Sequence, residues 1–462
     1  MIPPSGAPAC HDERMNPDRS QFGDDFVWGV ATAAYQIEGS PTADGKGASI
    51  WDTFCSQPGR IADGSSGAQT CDSYRRYAED SALVAELGFD AYRLSLSWPR
   101  IQPDGRSVNR AGIDHYRRVV DSCLERGVQP WLTLYHWDLP QALEDRGGWT
   151  DRDIVGRFAD YAGVVGEALG DLVSNWMLLN EPMSFTSLGY LVGEHAPGRR
   201  GLLGYLAAVH HTNLATAAGA QSLRAADPDG QVGTTHYLTA PQGVGPGKWA
   251  AARAERSAHA VINRQFLEPG LGMGYPTKDA PILRLMNRYL RPGDLDRCRV
   301  DLDFLGVQYY SRLRSQFLPV PGLWTVPSVD PVDPTAPTTS MGWQIMPEGL
   351  GMVLDMVHSY GRFPRIIITE GGASFADEVR DGRVADQRRI DYYRAHLAEV
   401  RAAQQRGVPV QGYFCWSLLD NFEWAEGTRP RFGLVHVDYS SQQRTIKESG
   451  HWFAGHLNTG QQ

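Results

Sequence analysis

Short apolar runs alternate with longer segments of helical period along the whole chain. FVWGV (26–30), DAYRLSLSW (90–98), VQPWLTLYH (128–136), NWMLLNE (175–181), QVGTTHY (231–237), DFLGVQYY (303–310), RIIITE (365–370) and VQGYFCWS (410–417) have the length and the β-branched or aromatic content of buried strands. Between them, Ile113, Tyr116, Val119, Val120 and Cys123 share one helical face, and Gly127 supplies the stop. Thr150 is expected to cap the next helix, with Asp151 and Asp153 favoured by its N-terminal dipole and Ile154, Phe158, Tyr161 and Val165 facing inward. PEGLGMVLDMVHSYG opens on Pro and closes on Gly, the asymmetry of a helix. Ile390, Tyr393, Leu397 and Val400 form one side of a further helix.

Strand–helix alternation implies a parallel sheet, and eight such units favour a closed (β/α)8 TIM barrel of the α/β class over an open doubly wound sheet. No G-x-G-x-x-G or G-x-x-x-x-G-K follows the first strand, which removes the nucleotide-binding versions of the open sheet. A single barrel domain is expected over 21–456, with elaborated loops at the C-terminal face, among them the irregular stretches 38–72 and 313–347. Residues 1–20 read as a polar, disordered leader and 457–462 as a tail.

Composition changes this picture little. The 462 residues carry a net charge of −9, so nothing suggests the basic face that a nucleic acid or an anionic membrane would need. No apolar run approaches the ~20 residues of a membrane span, and the first residues lack the apolar core of a signal peptide. The six cysteines show neither a C-x-x-C pair nor spacing to His that suggests zinc. No metal or cofactor is therefore expected, and a reducing cytoplasm fits best.

Two strands end in a costly way. NWMLLNEP places Asn180 and Glu181 after four apolar residues, and RIIITEGG places Glu370 after three isoleucines. Either motif alone is weak, because a Glu before Pro at a helix start is common and a strand-end Glu can pair with a structural arginine. In a barrel, however, strand ends converge on the mouth. Glu181 ends the fourth strand and Glu370 the seventh, so two carboxyls remote in sequence can face one substrate. Such a pair is what glycoside hydrolysis needs, one carboxyl protonated to assist the leaving oxygen and one ionised. Their proximity separates the two pKa values.

The company these motifs keep is specific. FVWGVATAAYQIEG, RLSLSWPRI, TLYHWDLP, LNEP, DFLGVQYYSR, ITEGG and GYFCWSLLDNFEWAEG occur in order from Phe26 to about Phe453, and together they resemble glycoside hydrolase family 1, the β-glucosidases. The resemblance implies a retaining exo-β-glycosidase acting on a small β-glycoside, with Glu181 as acid/base and Glu370 as nucleophile. It implies that Arg93 and Tyr310 contact the nucleophile and that Asn180 reaches the sugar 2-hydroxyl. Gln36, His136, Trp137, Glu423 and Trp424 correspond to the hydroxyl-binding set, Trp416 to the stacking floor and Trp343 to the aglycone entrance. His195, in GEHAPG, is assigned to loop structure. Relatives acting on 6-phosphoglycosides carry Lys-x-Tyr where Pro430 and Phe432 stand, so a phosphorylated glycone is disfavoured. Transglycosylation shares every catalytic residue and stays open. A non-catalytic sugar binder would have lost a glutamate. The family usually has Asn where this chain has Gln308 and Gly371, which leaves the detail of the subsite open.

Overall fold

Eight parallel strands close on themselves in the computed structural model, which describes residues 19–320, 322–331 and 333–457. They are β1 (Val27–Ala31), β2 (Ala91–Ser95), β3 (Gln129–Tyr135), β4 (Asn175–Asn180), β5 (Gln231–Tyr237), β6 (Phe304–Gln308), β7 (Ile366–Gly371) and β8 (Val410–Trp416). Each pairs with its neighbour in sequence, and β1 closes the ring by pairing Val27 with Gly412 of β8 and Gly29 with Ala91 of β2. All eight runs read from the sequence are barrel strands. The fold is a (β/α)8 barrel.

Large rings plug the barrel interior. Trp131 meets Phe304 at 5.3 Å and Phe414 at 5.2 Å between ring centroids. Two glycines make room for them. A Cβ on Gly29 would lie 2.2 Å from the Phe414 ring, and one on Gly233 would lie 2.4 Å from Phe304. This packing fills the barrel interior, and the strands deliver their C-terminal residues to the mouth above it.

The outer helices bury the stripes expected of them. Ile113, Tyr116, Val119, Val120 and Cys123 are buried in helix Arg110–Leu124, and Ile154, Phe158, Tyr161 and Val165 in helix Ile154–Leu169. Ile390, Tyr393, Leu397 and Val400 are buried in helix Gln387–Gln405.

Two expectations fall differently. Thr150 does not cap: its hydroxyl donates to Gly147 O at 2.7 Å, and Asp153 stands at the helix start without a side-chain cap. The stretch 313–347 is partly regular. Arg314–Val320 and Leu323–Ser328 form an antiparallel pair that Gln242–Val244 extends to three strands. Helix Leu202–Ala226 carries no single apolar stripe, because residues 205–216 are buried on every side. Such a segment gives no periodic signal.

The leader expected at 1–20 lies outside the described residues except for Arg19 and Ser20. Arg19 begins a short turn and pairs with Asp90 at 2.7 Å. Of the tail only Leu457 is described. Among the described residues no helix is long and apolar enough to cross a membrane.

Candidate active site

Glu181 is the first residue beyond β4. Its N–H donates to Thr235 O on β5 at 2.9 Å, which extends the sheet pairing by one residue. Its φ of +45° then turns the chain sharply into the short helix Pro182–Thr186. A non-glycine residue in the left-handed region is uncommon and costs energy. The turn directs the carboxyl over the barrel mouth, and Pro182 fits the first helical position because its missing N–H has no partner to lose. Glu370 lies within β7, its Cα opposite Gln308 of β6. Both glutamates are buried, and both line one cavity of about 530 Å³.

Arg93, fully buried on β2, ties the site together. One guanidinium nitrogen pairs with Glu370 Oε1. The other donates to Asn180 Oδ1 at 2.6 Å, and Nε donates to Thr133 Oγ1 at 3.1 Å. Tyr310 donates its hydroxyl to Glu370 Oε2 at 2.6 Å. Glu370 therefore holds a cation on one oxygen and a phenol on the other.

The two carboxyls are thus unequal. Burial raises both pKa values, but for Glu370 the Arg93 charge and the Tyr310 hydrogen bond oppose it. Glu181 is pushed up to about 8, by burial first and by the Glu370 charge second. Of the two, Glu370 ionises first and Glu181 keeps its proton near neutrality.

A set of side chains behind and beside this pair is fixed in orientation. Asn180 Oδ1 accepts from both Arg93 and Gln308 Nε2, the latter at 2.8 Å, so its Nδ2 must face His136 Nε2 at 3.0 Å. An amide nitrogen can only donate, which makes His136 Nε2 the acceptor and puts the ring proton on Nδ1. Burial and the Arg93 charge hold His136 neutral. Its Nδ1 is buried with no partner among the described residues. Gln36 donates through Nε2 to Asn421 Oδ1 at 3.0 Å and Phe422 O at 2.7 Å, leaving Oε1 buried and unpartnered. Glu423 Oε2 is likewise enclosed and unpartnered, and burial with the Glu370 charge pushes its pKa to about 8.

The structure brings most of the predicted residues together. Glu181, Glu370, Tyr310, His136, Trp137, Asn180, Trp343, Trp416, Glu423, Trp424 and Phe432 all line the cavity. Arg93, Gln36 and Gln308 are fully buried just behind its wall. Trp137 offers a ring face only, because its Nε1 already donates to Asn180 O at 2.9 Å. His195, assigned to loop structure, lines the cavity as well, 5.6 Å from Trp137 between ring centroids, with Nδ1 unpartnered. Sequence reasoning missed Met183, Leu188, Tyr237, Leu313 and Met341, which line the side beside Trp343. Tyr237 could have been found as the last residue of a barrel strand. Met183 and Leu188 sit on the short helical turns Pro182–Thr186 and Ser187–Val192, Leu313 and Met341 on loops, and none carries a sequence signal.

Residues 18–461 match the family profile described as glycosyl hydrolase family 1. The chain belongs to glycosyl hydrolase family 1. It is similar to beta-glucosidase A of Thermotoga maritima, with 44% identity over 94% of this chain and 97% of that protein. It is similar to a 1,4-beta-D-glucan glucohydrolase of Thermotoga neapolitana, 42% identical over 94% of this chain and 97% of that one. Its fold superposes with a TM-score of 0.88 on the solved structure of the T. maritima beta-glucosidase in complex with glucoimidazole, at 44% identity, covering 94% of this chain and 98% of that one.

Family membership makes the two departures interpretable. Gln308, where the resemblance led to an expectation of Asn, donates through Nε2 to Asn180 Oδ1 at 2.8 Å and fixes that amide from a second side. Gly371, where the family usually has Asn, has no room for a side chain. A Cβ there would lie 2.3 Å from the hydroxyl of Tyr413, which fills the space from β8.

Proposed function

We propose that this family 1 enzyme is a β-glucosidase that removes a terminal β-D-glucosyl residue by double displacement. The observation that carries the proposal is the inequality of the two carboxyls on one cavity: Glu370 is ion-paired with Arg93, and among the described residues Glu181 has no such partner. In the first step Glu370 attacks the anomeric carbon, and the bond to the aglycone oxygen breaks as Glu181 gives that oxygen its proton. The product is a glycosyl ester on Glu370, which no longer carries charge. The Glu181 carboxylate then takes a proton from water as the water attacks the same carbon, and Glu370 leaves as a carboxylate.

The unpartnered atoms His136 Nδ1 and Glu423 Oε2, on residues that line the cavity, suit a ring bearing several hydroxyls, each of which can donate and accept. Trp416 offers an indole face for the apolar side of the sugar. Trp424 packs at 4.6 Å on both Trp51 and Trp137 behind them, which supports a blind glycone end and hence cleavage from a chain terminus. Pro430 and Phe432 stand where relatives acting on 6-phosphoglycosides carry Lys and Tyr, which supports an unphosphorylated glycone. The glucosyl preference rests on the named relatives and on the complex with glucoimidazole. The steps need only carboxyls and water. Cys71, Cys123, Cys298 and Cys415 are buried and unpaired, which supports a reducing compartment.

Two measurements test the reading. Proton NMR of the first product formed from an aryl β-glucoside is expected to show the β-anomer, and α-glucose would overturn retention. Glu370→Gly is expected to lose hydrolysis and to regain turnover with added azide as an α-glucosyl azide; no rescue would remove Glu370 from the nucleophile's role.

A further inference from the structure

Six charged side chains that do not line the cavity join the loop after β7 to the loop after β8. Lys447 is fully buried, and its ammonium donates to Asp377 Oδ2 at 2.6 Å and to Asp420 Oδ1 at 2.7 Å. Asp377 follows β7 and Asp420 follows β8, so one cation bridges the two loops. Arg389, also fully buried, donates to Asp377 Oδ2 at 2.7 Å and pairs with Asp386. It also reaches the backbone oxygens of Ala373 at 3.3 Å and Arg431 at 2.6 Å. Arg431 returns to Asp420 Oδ2 at 3.2 Å. Three cations thus face three carboxylates.

A buried ion pair contributes little net stability, and apolar side chains of the same volume often do as well or better. What this network does supply is a fixed geometry. Asp420 Oδ1 also accepts from Gly433 N at 2.9 Å, and a Cβ on Gly433 would lie 2.2 Å from Asp420 N. Leu434 N donates to Ser417 O and Val435 N to Leu418 O, both at 2.8 Å. The chain therefore leaves at Ser417 and returns at Gly433 against its own start, with Asp420 as the clasp. Between these ends the loop carries Glu423 and Trp424 into the cavity. Phe432 stands beside the clasp, 6.3 Å from the ring of Tyr310, whose hydroxyl serves Glu370. On the other loop, the Arg389 bond to Ala373 falls three residues beyond Glu370.

We propose that Lys447 is a positioning residue for sugar recognition: by holding Asp420 to Asp377 it sets where Glu423 and Trp424 stand relative to Glu370. Lysine suits the task, because a compact ammonium with three rotatable donors can hold two carboxylates of different loops at once. Without it Asp377 keeps Arg389 and Asp420 keeps Arg431, so each carboxylate retains a cation while the ammonium tie between the loops is lost. The loops would still fold, but the Glu423 carboxyl would no longer be held as closely as a hydrogen bond to a sugar hydroxyl demands. The inference rests on the β-glucosidase reading and goes beyond it, to groups outside the cavity.

The test is kcat/KM for 4-nitrophenyl β-D-glucopyranoside beside its 4-deoxy and 6-deoxy analogues, with near-UV circular dichroism to verify folding. The variants are Lys447→Met alone and Lys447→Met together with Asp420→Asn. The second restores charge balance, and an asparagine there can still accept from Gly433 N. A role in folding alone lowers all three substrates by one factor, the folded fraction, and leaves their ratios unchanged. Displacing Glu423 weakens a contact that only a hydroxyl-bearing substrate makes. The expected result is a fall of about tenfold for the glucoside, with its advantage over at least one deoxy analogue shrinking about threefold or more, as for a charged hydrogen bond partly lost. Unchanged ratios in a folded variant overturn the inference. Should neither variant fold, the isosteric Asp377→Asn is read in the same way: a ratio shifted in the same direction supports the role, and unchanged ratios overturn it. Absence of hydrolysis of the glucoside by the wild-type enzyme would instead defeat the underlying β-glucosidase reading.

Discussion

Replacing Tyr310 with Phe removes one hydroxyl and leaves a ring that still packs against Trp343 at 5.6 Å and Phe432 at 6.3 Å. The lost group donates to Glu370 Oε2 at 2.6 Å, while Arg93 keeps the other oxygen. A hydrogen bond to a charged acceptor contributes about 1.5–3 kcal/mol. Here that energy favours the ionised form of Glu370, and one pKa unit corresponds to about 1.4 kcal/mol. The pKa of Glu370 should therefore rise by about 1–2 units in Tyr310→Phe. Because Glu370 must be ionised to attack, the acid limb of kcat/KM moves to higher pH. The basic limb, set by loss of the Glu181 proton as pH rises through about 8, shifts far less. The bell narrows from its acid side. The assay is kcat/KM for an aryl β-glucoside from pH 4 to 9, with near-UV circular dichroism to verify folding. An acid limb that stays where it is in the folded variant would refute the assignment of Tyr310 as a group that keeps Glu370 anionic.

Glu181→Gln is expected to abolish the basic limb and to slow substrates with poor leaving groups far more than activated aryl glucosides, read by steady-state kinetics. Its stability should change with a defined sign. The raised pKa means the folded state keeps a proton that the unfolded chain releases, so Glu181 costs stability increasingly as pH rises from its ordinary value towards about 8. The variant should match wild type near pH 4 and exceed it by an amount on the order of 1–3 kcal/mol at pH 7, measured by urea unfolding. Gln308→Met removes one of the two donors that orient the Asn180 amide, so kcat/KM should fall about 5–30-fold; the penalty for a 2-deoxyglucoside relative to the glucoside should shrink with it. Gly371→Asn should cost about 1–3 kcal/mol through the clash with Tyr413. Tyr413→Phe removes a buried hydroxyl that has no partner, so alone it should be neutral or stabilising, and in the double variant it should recover part of the loss.

The barrel was legible because each strand is buried on both faces and reads as a short apolar run, from Val27–Ala31 to Val410–Trp416. Glu181 and Glu370 stood out for the same reason, as charges ending runs that otherwise avoid them. Loops gave much less. The Arg314–Val320 and Leu323–Ser328 hairpin is mostly exposed or half-buried, with one buried residue in each strand, so it shows no buried apolar run. His195 looked like loop structure until Trp51, Trp137 and Trp424 gathered round it.

The order of apolar and polar residues by itself determined the barrel, the strand ends and the two glutamates, because burial is a local demand on each residue. Tertiary structure alone supplied the physical reason that Glu181 keeps its proton longer than Glu370, and it alone decided which nitrogen of His136 is left unpartnered among the described residues and which side chains line the cavity beside Trp343. Those properties depend on Arg93, Tyr310, Gln308 and the loop residues arriving from distant parts of the chain. Electrostatic and hydrogen-bond energies are set by distances through space, and spacing along the sequence does not encode them.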